Sequence, residues 1–366
     1  MKYLFVIPTL EHGGAEVVTI NLCNEISNRG NDVYLMTFNL RGELQDRLNP
    51  QTKTINLNSN RARNCLIKLY FHLLFNKYDF VISMLTASNI ITGLVFRLPF
   101  LNSKLIIRVA GLFENRDFPL FPNSLSKLVY YCAFSKKYKY IFNSKGSLES
   151  FTRYGVIDNT YTYNVIGNPV IDSTLQNLKN EAVDHPWFNE NNKKFVIICV
   201  GRLNKIKDHF TLLKAFAIVI KSKVNARLLI IGDGPERENI LTFISKNELN
   251  NYIDLIGFEQ NPIKFMSRCS LFTLTSLSEG FGNVIVEALA CKLNIIATNS
   301  PGGVIDILDN GKYGKLVNVG DYNELSKVII DFMNNKYDFN KEMLLQRSQD
   351  FTVDVITNSY LEFIQK

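Results

Sequence analysis

The sequence predicts an α/β chain of two doubly wound, Rossmann-like domains, each a parallel sheet covered by helices on both faces. Three observations carry this. Short apolar runs alternate with helical patterns along the chain. Its 366 residues exceed what one core usually holds. A polar stretch from Val170 to Lys194, rich in Asn, Asp and Glu and carrying Pro186, interrupts the alternation near the middle and marks a hinge.

Taken in order, the strand candidates of the first half are YLFVIPT from Tyr3, DVYLMTF from Asp32, DFVISML from Asp79, KLIIRVAG from Lys104, KYIFNS from Lys139 and TYNVIGNP from Thr162. The uncharged run from Phe80 to Phe96 falls short of the roughly 18 apolar residues of a membrane span. Ser83, Thr86, Ser88, Asn89 and Thr92 dilute it, so it reads as a strand followed by a buried helix. In the second half, strands over 195–201, 227–234, 252–258, 271–277, 294–300 and 315–319 are each followed by a helical pattern. The expected boundaries are 1–170 for the first domain and 171–350 for the linker and second domain, with a helix at about 351–366 packing back onto the first. Ligands of such sheets sit beyond the carboxyl ends of the strands, so each domain offers an edge to a shared cleft.

Apolar residues make up 46% of the chain and charged residues 20%, a balance that excludes disordered and fibrous classes. The six cysteines are scattered, with no CxxC pair and no histidine at zinc spacing, and read as reduced core thiols of a cytoplasmic protein. MKYLFVIPTLEHGGAE lacks the pattern of a secretory signal. The net charge of +7 is uneven: residues 1–180 hold 20 Lys and Arg against 12 Asp and Glu, and residues 181–366 hold 21 against 22. The first half is therefore expected to meet something anionic. Two segments there, Arg61 to Lys77 and Ser124 to Lys139, mix basic and aromatic residues. They read either as amphipathic helices at an anionic membrane surface or as domain helices with solvated basic faces. Nucleic acid is not expected as a partner, because no helix-turn-helix, RNP-like or zinc-finger pattern occurs.

The informative stretch is SLSEGFGNVIVEALACKLNIIATNS, Ser276 to Ser300. A strand, a tight loop with two glycines and a helix starting near Asn283 put Glu279 at the strand's carboxyl end and Glu287 on an early helical turn. A carboxylate among Val, Ile, Ala and Leu is costly unless paired, so Glu287 is expected to accept hydrogen bonds from a polyhydroxylated ligand or from an inward arginine.

Here the chain resembles the retaining GT4 type of GT-B glycosyltransferases, in particular the polysaccharide-building members. Their E-x7-E signature is matched by Glu279-Gly-Phe-Gly-Asn-Val-Ile-Val-Glu287. VGRLNKIKDHFTLLKAF (200–216), IGDGPER (231–237), LIGFEQNP (255–262), HGGAE (12–16), Asn168-Pro169 and HPWF (185–188) resemble further segments of that family. The resemblance implies that Arg202 and Lys207 bind the donor's phosphates and stabilise the leaving diphosphate. It implies that Glu279 and the backbone of Phe281, Gly282 and Asn283 hold the transferred sugar, that Glu287 holds the ribose hydroxyls, and that Gly257 and Phe258 meet the base. Gly14 would direct a backbone N–H to the diphosphate across the cleft. The donor implied is a nucleotide-sugar, UDP-linked, and the acceptor a lipid-linked or membrane-borne glycan, with the protein cytoplasmic and peripheral on the inner face of the cell membrane. No D-x-D triplet occurs, so neither a metal nor another cofactor is expected. Many relatives carry a histidine near the position of Ala110. This chain has none there, and Arg108 reads either as orienting the acceptor or leaving group or as half of a structural ion pair. Two rivals share the fold: a UDP-sugar 2-epimerase, which would present extra acids and histidines around the sugar, and a non-catalytic scaffold, which would have lost Arg202, Lys207 or Glu279. A nicotinamide dehydrogenase is excluded for want of G-x-G-x-x-G after the first strand.

Overall fold

The computed structural model describes residues 1–366 except 12, 60, 114–122, 189–193 and 223–224. The chain divides into two compact units, one of residues Met1–Val170 with Thr352–Lys366, the other Ile171–Phe351.

The first unit runs β1 (Lys2–Ile7), α1 (Gly14–Asn28), β2 (Asp32–Thr37), β3 (Lys53–Asn56), α2 (Ala62–Phe75), β4 (Phe80–Ser83), α3 (Thr86–Val95), β5 (Lys104–Val109), α4 (Asn123–Ala133), β6 (Lys139–Phe142), α5 (Lys145–Arg153) and β7 (Thr162–Val165). Its sheet is ordered β3-β2-β1-β4-β5-β6-β7, and the pairs of β1 with β2 and with β4 are parallel. β1, β4 and β5 are near-continuous apolar runs because both faces of a parallel sheet are covered. The run from Phe80 to Phe96 is the expected strand and buried helix, β4 and α3. β3 escaped the sequence reading, since KTIN is short, half polar and exposed at the sheet's edge.

The second unit runs α6 (Leu175–Asn180), β8 (Phe195–Val200), α7 (His209–Lys221), β9 (Ala226–Ile231), α8 (Arg237–Lys246), β10 (Ile253–Gly257), α9 (Ile263–Met266), β11 (Leu271–Leu274), α10 (Asn283–Ala290), β12 (Asn294–Thr298), α11 (Val304–Ile307), β13 (Lys315–Val317), α12 (Tyr322–Met333) and α13 (Lys341–Gln349). Its sheet is ordered β10-β9-β8-β11-β12-β13. The strand order reverses between β8 and β11, and the loops leaving their carboxyl ends flank the point where ligands of such sheets bind. The final helix, α14 (Val353–Gln365), returns to the first unit. There Arg29 reaches Asp354 at 2.6 Å, and the Lys139 ammonium donates to the carbonyl of Phe363 at 3.0 Å.

Two expectations change. The stretch from Val170 is not bare linker: α6 is fastened to the second unit, where Asn261 donates to the carbonyl of Leu178 at 2.8 Å and Lys179 to that of Ala290 at 2.5 Å. The cysteines are free but not all in the core, since Cys132 on α4 is exposed.

Candidate active site

The site is built from two loops locked to each other. Thr275, just past β11, donates its hydroxyl to the carbonyls of Lys207 (3.2 Å) and Asp208 (3.0 Å), and the Leu277 N–H donates to the carbonyl of Ile206 at 2.8 Å. The partner loop is shaped by its own polar residues. Asn204 accepts from the Lys207 N–H at 3.1 Å, and Asp208, in the left-handed region at φ 42°, caps α7 by accepting from the backbone and hydroxyl of Thr211. These bonds hold Lys207 against the carboxyl end of β11.

Glu279 is what Lys207 meets. Its Oε1 is paired with the Lys207 ammonium and accepts the Ser276 hydroxyl at 2.6 Å, and the side chain is 10% exposed. The backbone of Glu279 is pinned as well: its N–H donates to Pro301 at 3.0 Å, beside a bridge to Gly302. Gly302 has φ 118°, and a Cβ there would overlap the Glu279 carbonyl, so only glycine fits. Gly282 follows in the left-handed region (φ 105°, ψ 52°) and starts α10 at Asn283. The intervening Phe281 is buried, with its ring 5.6 Å from that of Phe351.

An ammonium has three N–H donors. Lys207 gives one to Glu279 and, being 22% exposed, keeps capacity for an anionic oxygen. His209 sits behind it, 2% exposed, and burial first and the Lys207 charge second push its pKa down to about 4. It stays neutral at physiological pH. Arg202, on the loop after β8, is exposed and makes no ion pair among the described residues. The strand ends beside it are tied in series, with the Gly201 N–H donating to Ile231 (3.0 Å) and the Gly232 N–H to Gly257 (2.7 Å). Phe258 follows Gly257 with 64% of its surface exposed.

Glu287 differs from Glu279 in having no cation partner among the described residues. It is partly buried on the second turn of α10 and belongs to no ion pair among the described residues. Desolvation alone pushes its carboxyl pKa up to about 7. No inward arginine pairs with it among the described residues, and a carboxylate so placed can accept from hydroxyl donors.

Arg202, Lys207, Gly257, Phe258, Glu279, Phe281, Gly282, Asn283 and Glu287 thus lie in the second unit, on loops and helix starts at the carboxyl edge of its sheet. Gly14 lies in the first, at the start of α1 beyond β1. His12, of the same motif, is outside the described residues. Arg108 is corrected on two counts. Its side chain has no exposed surface, so it presents nothing to an acceptor. Its partners are not a carboxylate but the Tyr360 hydroxyl (3.0 Å), Asn168 Oδ1 (2.6 Å) and the Met84 carbonyl (3.4 Å), which join β5 to α14. Headgroup contact through lysines also narrows. Lys68 donates to the carbonyl of Leu57 at 2.6 Å and Lys139 to that of Phe363, while the Lys127 side chain is outside the described residues. Sequence reasoning missed Ser276 and Thr275. The pattern T-S-x-S-E was the available signal, but small hydroxyl residues after a strand also suit an ordinary turn.

Residues 181–347 match the model of the glycosyl transferases group 1. Over 186 residues, 50% of this chain and 47% of the relative, the chain is 32% identical to a Campylobacter jejuni N-acetylgalactosamine-N,N'-diacetylbacillosaminyl-diphospho-undecaprenol 4-alpha-N-acetylgalactosaminyltransferase. It is 34% identical over 167 residues, 44% of this chain and 42% of the relative, to the capsular polysaccharide biosynthesis glycosyltransferase CapM of Staphylococcus aureus. The chain spans under half the length of these curated relatives. Among solved structures, Anabaena HepE in complex with UDP superposes with a TM-score of 0.79 at 20% identity over all of both chains. Residues 181–347 thus carry the signature of the glycosyl transferases group 1, and the two parallel-sheet units have the GT-B fold.

Proposed function

We propose that the protein is a retaining, metal-independent glycosyltransferase that moves a hexosyl or N-acetylhexosaminyl group from a UDP-sugar to a lipid-linked or membrane-borne glycan in surface polysaccharide assembly. The observation that carries the reading is the Lys207–Glu279 pair at the strand reversal, with Arg202 exposed on the loop after β8 and Glu287 on α10 in no ion pair among the described residues. When the bond between the sugar's anomeric carbon and the phosphate oxygen breaks, the diphosphate gains negative charge, and Arg202 and the remaining N–H donors of Lys207 stabilise it. Glu279, fixed by Lys207 and Ser276, holds the sugar while the acceptor oxygen forms its bond on the same face. The departing phosphate takes the acceptor's proton. Glu287 accepts from the ribose hydroxyls, and Gly257 and Phe258 meet the base. Because Lys207 and Ser276 already occupy Glu279 Oε1, that carboxylate is poorly placed to hold a metal, which supports a metal-free reaction.

The UDP bound to HepE supports the donor class, and the names of the Campylobacter and Staphylococcus relatives support the acceptor class. No helix among the described residues is long and apolar enough to cross a membrane. In this reading the protein works in the cytoplasm, peripheral at the inner membrane face. The test is a panel of nucleotides and nucleotide sugars in thermal melts. A UDP ligand at 100 times its dissociation constant should stabilise by about 2.7 kcal/mol. With a lipid-linked acceptor, the product linkage should keep the donor's anomeric configuration by NMR. A melt that no nucleotide shifts sinks the reading.

A further inference from the structure

The outward face of α2 is apolar where a solvated helix would be polar. Cys65, Leu69 and Leu73 are its buried positions, and Ile67, Phe71 and Phe75, at i, i+4 and i+8 on the opposite side, are 47%, 52% and 77% exposed. The turn between α3 and β5 adds Phe100, 78% exposed, which stands at φ 71° in the left-handed region that a bulky residue rarely adopts. That turn is held firmly. Arg97 donates to the carbonyls of Cys132 (3.2 Å) and Phe134, and the Tyr70 hydroxyl of α2 donates to the Pro99 carbonyl at 3.4 Å, which ties the stripe and Phe100 together. Three phenylalanine rings are thus largely exposed to water, Phe71 with an edge contact to Tyr70 at 5.7 Å.

Charge identifies the occupant. From residue 47 to 113 the chain has nine Lys and Arg and one acid, Asp79, which accepts from the Lys2 N–H at 2.7 Å. Arg61, Arg63 and Lys77 on or beside α2 are exposed. Separate rings projecting from the outer face of a helix do not form the groove that a peptide partner needs. They suit a fluid medium that fills between them, and basic side chains around them suit anionic headgroups. We propose that Ile67, Phe71, Phe75 and Phe100 insert into the headgroup–acyl boundary of an anionic bilayer, with the exposed basic residues of α2 at the headgroups. The inference rests on the reading of a membrane-borne acceptor and moves the contact from the lysines to the apolar stripe.

The test uses the full chain with vesicles of phosphatidylglycerol and phosphatidylcholine, compared with phosphatidylcholine alone. The variant Phe71→Ser/Phe75→Ser/Phe100→Ser changes only exposed side chains. It should lower partition onto the anionic vesicles by about tenfold or more, while Leu241→Ser, an exposed apolar position of the second unit, should not. Phe71→Trp and Phe100→Trp should each gain a blue-shifted emission on anionic vesicles that brominated lipid quenches, against the constant background of Trp187, the single tryptophan. Partition of the triple variant equal to wild type, or unshifted emission from both reporters, overturns the proposal. So does a wild-type protein that ignores vesicles but forms a dimer that the triple variant loses. Melts with UDP separate the two readings: a UDP shift without vesicle binding sinks this proposal alone, and vesicle binding without a UDP shift sinks the donor site alone.

Discussion

Replacing Glu287 with glutamine should make the protein more stable and less able to hold its nucleotide. The carboxyl has no cation partner among the described residues, and desolvation lifts its pKa from 4.5 to about 7. At 1.36 kcal/mol per pKa unit, ionising it in the folded chain costs about 3 kcal/mol, a ceiling because the group is not wholly shut from water. The sign follows from proton counting. Between pH 4.5 and 7 the folded state keeps a proton that the unfolded state has released, so stability falls as pH rises through that window and levels off above it. Below about pH 4 both states are protonated and the carboxyl contributes nothing. Glu287→Gln removes the ionisation, so its advantage should be near zero at pH 4 and grow to at most about 3 kcal/mol at pH 8, several degrees in the melt of a unit this size. Thermal melts of both proteins at pH 4.5 and pH 8 measure it, with and without UDP. Wild type should be raised strongly by UDP at pH 8, and Glu287→Gln little. A variant destabilised equally at both pH values would show that the carboxylate has a strong partner, and the reasoning from desolvation would fail.

Three further outcomes are expected. Arg202→Ala and Lys207→Ala should each lower turnover by about 10²-fold or more with the fold retained, and a folded Arg202→Ala enzyme with wild-type rates refutes the role of that cation. Lys207→Ala should also destabilise, by about 1–3 kcal/mol, because Glu279 loses its counter-charge at 10% exposure; adding Glu279→Gln should restore part of the loss, and additive losses in the double variant refute the pairing. Glu279→Gln alone should chiefly lower turnover, since its bonds to the sugar strengthen as the ring gains positive character, whereas Glu287→Gln should chiefly weaken donor binding; reversed phenotypes mean the donor lies the other way round. Activity should survive excess EDTA, and complete loss restored by manganese would place the enzyme in another class.

Much of the fold was legible because both sheets are parallel and covered on both faces, which writes each central strand as an unbroken apolar run between turns. Phe195 to Val200 and Leu271 to Leu274 are of this kind. β3 and α6 were not, because an edge strand and a docked six-residue helix carry little apolar periodicity of their own. The candidate site was proposed from the spacing of Glu279 and Glu287 and the run from Arg202 to Lys207, since local order along one loop survives in the sequence.

What the sequence determined by itself was the alternation that builds two parallel sheets, the glycines that let loops turn sharply, and two carboxylates eight residues apart at one strand's end. Only the tertiary structure decided which charges meet. Glu279 lies 72 residues from Lys207 in the chain and becomes its partner because Thr275 and Leu277 bond the two loops together. Arg108, equally basic on paper, is carried into the first unit and consumed by Tyr360, 252 residues away. The sequence left open whether α2 buries its aromatics or presents them, and the fold turned Ile67, Phe71 and Phe75 outward. A side chain's type fixes what it can bind, but its solvation and its partners come from segments distant in sequence, and those set whether a charge is paired, exposed or alone.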